Sequence, residues 1–209
     1  QRSKAGETGS QHAQAIGVSR HAINARLRGG SKQSRSDSLT KYTLDEGYFS
    51  EVDTPEKAYL LGFIATDGCV NETRSKPELQ IVLKAQDAPH LETIARLLGS
   101  DRPVRTYTYG GYPFARFAAR SERLAADLAK FGVTPRKTFT LDWPTLRPDL
   151  YRHFVRGLCD GDGSFFVSNK KQVTPHLCFA FIGSERLTPA FLGHLCQECV
   201  LPAVTLNPR

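Results

Sequence analysis

Asp67 and Asp162 are the residues of this 209-residue chain best suited by type and spacing to do chemistry. Each closes an apolar run and is followed by a glycine, in "LLGFIATDG" (60–68) and "VRGLCDGDG" (155–163), and the two lie 95 residues apart. An acid at the C-terminal end of a helix meets the partial negative charge of the helix itself. Two such ends side by side make a like-charged cluster whose natural partner is a cation. Mg2+ suits that donor set, because it is a hard octahedral ion held by one or two carboxylates, waters and substrate phosphate oxygens. For a single acid the plainer reading is an Asx-turn that caps the following residues. Repetition in register favours the metal reading for the pair. Asp160, which has Ala65 in its place in the first copy, reads as a local cap.

The elements that must position these acids are themselves repeated. "EKAYLLGFIATDGCV" (56–70) and "YRHFVRGLCDGDGSF" (151–165) align without gaps, pairing Tyr59 with Phe154, Gly62 with Gly157 and Gly68 with Gly163. Gly62 and Gly157 stand inside helical runs, where glycine costs about 1 kcal/mol against alanine. That cost makes sense if the two helices approach backbone to backbone. Gly68 and Gly163 are expected to end the helices in the left-handed conformation.

Behind Asp67 the pattern predicts extended segments at 69–74 and 78–84, a helix opening near Asp87, strands at 103–110 and 112–121, and a helix over 122–131. Behind Asp162 it predicts 164–168, 176–182, a helix from Glu185, and "PAVTLN" (202–207), where the sequence stops. The second copy is thus expected to lack its fourth strand and last helix. The expected fold class is α+β, a pseudo-twofold pair of αββαββα repeats with antiparallel sheets. Alternation places Gln80, Val82 and Lys84 opposite Leu79, Ile81 and Leu83, groups Arg105, Tyr107 and Tyr109, and sets Arg116 and Arg120 opposite Phe117. A polar solvent-facing sheet would show the same alternation. Arginine and tyrosine concentrated there, with few acids among them, point to nucleic acid.

Charge is uneven along the chain. The formal net charge is +7, of which residues 1–41 carry +6. A cationic segment on a nearly neutral body suits a polyanionic partner, although a solubilising tail would look alike. Within it, "SQHAQAIGVSRHAINARLRGG" (10–30) has apolar positions at Ala13, Ile16, Ile23 and Leu27, a stop at Gly17 and a helix cap at Ser19. This spacing predicts a helix-turn-helix whose second helix presents Arg20, His21, Asn24, Arg26 and Arg28 to DNA. A structural helical hairpin is the other reading. The expected organisation is 1–30 as that segment, incomplete at its start, 31–43 as a basic linker, 44–150 as the first repeat and 151–209 as the second.

Some classes recede. No apolar run approaches the roughly 20 residues of a membrane span. Five scattered cysteines argue against a disulfide framework and for an intracellular, cytoplasmic setting. His194, Cys196 and Cys199 lack a second ligand pair for a zinc site.

Taken together, the two motifs resemble the LAGLIDADG homing endonucleases in their single-chain, two-repeat form, over residues 42–209. The resemblance implies that the motif helices form the interface between repeats and that the last acid of each motif, Asp67 and Asp162, binds Mg2+ or Mn2+. It also implies saddle-shaped sheets on the major groove of double-stranded DNA, with Gln80, Lys84, Arg105, Tyr107, Tyr109, Arg116 and Arg120 as contacts. "FGVTPRKTFTLDWP" (131–144) is similar to the family's Gly-hydrophobic-x-x-x-Lys-Ser/Thr stretch, which makes Lys137 the candidate catalytic lysine. Read without the resemblance, Lys137 is an exposed loop lysine. A helix-turn-helix ahead of the nuclease occurs in bacterial and phage-type members. The implied activity is metal-dependent, sequence-specific double-strand cleavage by a monomer. A DNA-binding regulator that has lost its chemistry, or the endonuclease portion of an intein, would share the fold.

Overall fold

The computed structural model describes residues 42–168 and 174–199. The residues from Tyr42 onward form one compact unit of mixed α and β structure with antiparallel sheets. The helix-turn-helix read at 10–30, and with it Arg20, His21, Asn24, Arg26 and Arg28, lies outside the described residues, as does "PAVTLN".

Helix α1 (Pro55–Asp67) starts where Thr54 accepts a hydrogen bond from the backbone N–H of Lys57, with Pro55 and Glu56 in its first turn. Ala58, Leu60, Leu61, Phe63 and Ile64 are buried, so the helix is covered on most sides. Strand β1 (Gly68–Asn71) leaves directly from its end, followed by β2 (Glu78–Lys84), a single 3-10 turn and α2 (Ala88–Leu97). Then come β3 (Arg105–Tyr109), β4 (Tyr112–Arg120) and α3 (Glu122–Ala129), which Ser121 caps by accepting from Leu124 N–H. After a connection through residues 130–150 the pattern recurs as α4 (Tyr151–Asp162), β5 (Gly163–Ser168), β6 (His176–Phe181) and α5 (Leu187–Cys199).

The first sheet is antiparallel with order β1-β2-β4-β3. Its register sets Leu79 opposite Ala119 and Ile81 opposite Phe117. That face joins Leu91, Ile94, Leu98, Leu124 and Leu128 in one buried apolar core. The turn between β3 and β4 is Gly110-Gly111, both at positive φ, which suits the twist of a two-residue hairpin. In the second repeat β5 pairs with β6, Gly163 facing Phe181 as Gly68 faces Ile81 in the first. Phe191 of α5 stacks on Phe181, while Phe165 and Leu177 remain 70% and 75% exposed.

Gly62 and Gly157 do what the sequence suggests. A Cβ on Gly62 would fall 2.1 Å from the carbonyl oxygen of Phe154, and one on Gly157 would fall 2.1 Å from that of Tyr59. Two backbones fit only because neither carries a side chain. A third glycine, Gly161, receives the side chain of Thr66 from α1. These contacts advance in the same direction along both helices, so α1 and α4 run parallel and end together.

The terminal glycines differ from expectation. Gly68 (φ −79°, ψ 151°) and Gly163 (φ −83°, ψ 149°) are extended, not left-handed. Each is already the first residue of a strand, and its N–H donates to Ile64 O or Cys159 O in the last helical turn. Glycine is needed because a Cβ would lie 2.6 Å from Ile64 O or 2.4 Å from Cys159 O.

Candidate active site

Asp67 and Asp162 are the last residues of α1 and α4, and neither helix has a basic residue in its last turn. Parallel packing brings two negative helix ends and two carboxylates to the same end of the pair. Among the described residues neither carboxylate is hydrogen-bonded or ion-paired. Burial, then the charge of Asp162, push the carboxyl of Asp67 above the usual carboxylate range. Burial does the same to Asp162. Lys137 opposes both shifts.

Lys137 is held here by its loop. Gly132, at φ 82°, turns the chain after α3, and Val133 and Leu141 are buried on either side of the 3-10 turn Lys137–Phe139. Anchored at both ends, the turn directs the lysine inward, and its Nζ donates to Thr66 O at 3.1 Å, beside Asp67. Lys137 is therefore half-buried rather than an exposed loop lysine. Burial lowers its pKa, while Cys69, Asp162 and Asp67 pull the other way. The turn lies 70 residues from Asp67 in sequence, and the signal that points to it is the resemblance of residues 131–144 to the family's lysine-bearing stretch.

Asp160 is not a local cap. Its Oδ2 accepts the hydroxyl of Tyr59, on the opposite helix, at 2.9 Å. The guanidinium of Arg156 lies 4.6 Å from the centre of that tyrosine ring. Burial, then the hydrogen bond to Asp160, push the Tyr59 hydroxyl up to about 12.

The register of the first sheet unites the residues that alternation could only group strand by strand. Gln80 pairs with Ala118, Val82 with Arg116, Lys84 with Phe114, and Glu78 with Arg120. Arg105 pairs with Arg116, Tyr107 with Phe114 and Tyr109 with Tyr112. Gln80, Lys84, Arg105, Tyr107, Tyr109, Arg116 and Arg120 therefore share the face opposite the core. Every residue of β3 is exposed. Sequence reasoning missed Glu78 on this face, although its position two residues before Gln80 would have placed it there. Its carboxylate takes Arg116 Nη2 at 2.5 Å and Arg120 Nε at 2.6 Å. The arginines are thus not the free cations that a face poor in acids would leave. His194 packs against Trp143 and Tyr151 with ring centres 5.5 Å away in each case.

The architecture is thus a paired-helix interface closed by glycines, with both acids at one end and a four-stranded sheet following the first helix. Residues 54–100 match the family model of the LAGLIDADG-like domain. That segment runs from the cap of α1 through α2, and includes Gly62 and Asp67. No curated protein matches the sequence. Among solved structures, the homing endonuclease I-WcaI bound to its DNA recognition sequence is 17% identical, with 87% of this chain and 82% of that chain covered and a TM-score of 0.49. The LAGLIDADG meganuclease I-AabMI bound to uncleaved DNA is 14% identical, with 75% and 76% covered and a TM-score of 0.47. I-SmaMI bound to uncleaved DNA in the presence of calcium ions is 15% identical, with 75% and 76% covered and a TM-score of 0.46.

Proposed function

We propose that this LAGLIDADG-like protein is a sequence-specific endonuclease that hydrolyses both strands of double-stranded DNA with the help of divalent metal ions. The observation that carries the reading is the meeting of Asp67 and Asp162 at the common end of two parallel helices, with Lys137 turned in beside them. The donor set suits a hard divalent ion. Two unpartnered carboxylates with raised affinity for protons are destabilised as they stand, and a cation relieves them. Asp67 and Asp162 would hold Mg2+ or Mn2+, with water and phosphate oxygens completing the shell. A bound ion supplies Lewis-acid polarisation of the scissile phosphate and a more acidic attacking water.

The protein's own groups do the rest. Lys137 holds positive charge next to the phosphate and is fixed by its bond to Thr66 O, so no reorganisation is needed as negative charge develops. The sheet face of Gln80, Lys84, Arg105, Tyr107, Tyr109, Arg116 and Arg120 binds a major groove and sets register. Arg20, His21, Asn24, Arg26 and Arg28 extend the contact through phosphates and steepen the loss of affinity with salt. One chain supplies both acids, so a monomer suffices.

The test is cleavage of a randomised duplex library with Mg2+ or Mn2+, followed by sequencing of the cut ends. Recurrent double-strand breaks at one motif, lost in Asp67→Asn and Asp162→Asn, are expected. If wild type and both variants bind one site equally and none cuts, the protein is a DNA-binding regulator and the nuclease reading is overturned.

A further inference from the structure

Glu78 is an odd residue for a surface that meets a polyanion. It lies on the same face as Gln80, and its side chain is only 6% exposed. A buried carboxylate there repels phosphate and weakens binding unless it does something for its neighbours. Directly across the register stands Arg120, whose Nε donates to it, and four residues along β4, opposite Val82, stands Arg116, whose Nη2 reaches back to donate as well. These bonds use one edge of each guanidinium. Among the described residues, both terminal amino groups of Arg120 and one of Arg116 stay without a protein partner, and the side chains are 34% and 39% exposed. Nε of Arg116 is buried and unpartnered. Arg105 stands opposite Arg116 on β3, and Arg102 feels the charges of Glu78 and of all three of these arginines.

We propose that Glu78 is a positioning and specificity-determining residue, fixing Arg116 and Arg120 so that their free amino groups meet chosen base edges rather than any nearby phosphate. The inference rests on the DNA-binding reading of this face. A flexible arginine satisfies itself on the backbone and carries no sequence information, whereas a fixed fork discriminates a guanine edge. Glu78 therefore lowers affinity for arbitrary DNA and raises selectivity. A residue that merely stabilised the sheet would move both in the same direction.

The experiment uses the full chain and a randomised duplex pool, with bound DNA sequenced in buffer lacking Mg2+ and Mn2+. Wild type, Glu78→Gln, Arg116→Ala and Arg120→Ala are compared, and affinity for the unselected pool is measured against salt. Glu78→Gln is expected to lose about tenfold or more in discrimination at the base pairs whose preference also fades in Arg116→Ala and Arg120→Ala. Other positions keep theirs, and Glu78→Gln binds the unselected pool at least as tightly as wild type. Trp143 fluorescence on heating checks folding. If Glu78→Gln fails to fold, Glu78→Asp keeps the charge but cannot span both arginines, and it should lose preference at one arginine's base pair. An unchanged profile in the folded variant, or a uniform loss at all positions, overturns the role of Glu78 and leaves the DNA reading standing. No enrichment by wild type overturns both.

Discussion

Gly62 and Gly157 face each other across two parallel helices, each with its missing side chain replaced by a carbonyl of the other helix, Phe154 O and Tyr59 O, 2.1 Å from where a Cβ would sit. The separation of the helices, and so of the acids at their ends, is set by this contact.

Alanine at either position must push the helices apart. Gly62→Ala and Gly157→Ala should each cost roughly 3 kcal/mol or more, because backbone cannot swing aside as a side chain can. Gly193 in α5 has nothing within 4 Å of its Cβ position and serves as the control. Gly193→Ala should stabilise by roughly 0.5–1 kcal/mol. Urea unfolding of the three variants checks both signs.

The hydrogen bond from Tyr59 to Asp160 joins the helices beyond their glycines. A double-mutant cycle with Tyr59→Phe and Asp160→Ala should give a coupling of about 1 kcal/mol, the usual scale for a hydrogen bond to a charged group at a partly exposed site. Independent effects that simply add would show that the bond contributes nothing.

Tyr59 also predicts a pH dependence. Its hydroxyl is raised from 10.0 to about 12, so the folded state holds this proton more tightly than the unfolded chain. The resulting stabilisation is fully present below pH 10 and is lost as pH rises through about 12. Ultraviolet titration of the seven tyrosines should show a late step from Tyr59 besides the raised titration of Tyr48, whose hydroxyl burial also pushes up. The late step should be absent in Tyr59→Phe, and its persistence there would assign it elsewhere.

Asp67 and Asp162 should show opposed effects on activity and stability. Either Asp→Asn change should lower metal-dependent cleavage by roughly a thousandfold. The same changes should leave the metal-free protein no less stable and raise its melting temperature by about 1–2 °C, because they remove like charge from the helix ends. Lys137→Ala should cut more slowly, by roughly a hundredfold, with DNA binding retained. Both acids hold protons more tightly than ordinary carboxylates in the metal-free protein, so metal affinity should begin to weaken, as pH falls, above the usual carboxylate range. A melting temperature lowered by Asp67→Asn would show that its carboxylate has a stabilising partner.

Much of the fold was legible because its signals are local. Alternation in 78–84 fixed which residues of β2 face the core, and helical spacing of Leu91 and Ile94 fixed the face of α2. The repeat of Gly-x-x-x-x-Asp-Gly at 62–68 and 157–163 marks the helix pair by its residue types and spacing alone. What it could not fix were contacts between side chains distant in sequence. Asp160 read as a cap because its acceptor role depends on Tyr59, 101 residues away. Gly68 and Gly163 read as left-handed because a helix followed by glycine commonly ends so, whereas here the strand begins at once and steric pressure from the last turn selects the residue.

The sequence by itself determined the elements, the two acids and the requirement for small residues between the helices, because period, charge and residue size act within a few neighbours. Tertiary structure alone decided that α1 and α4 run parallel, so that both acids reach one end, and that Lys137 turns inward to them. It also decided that β2, β3 and β4 share a register that gathers arginines around Glu78. Register and packing direction arise from the sum of many weak contacts between segments far apart in the chain, and no local pattern records that sum.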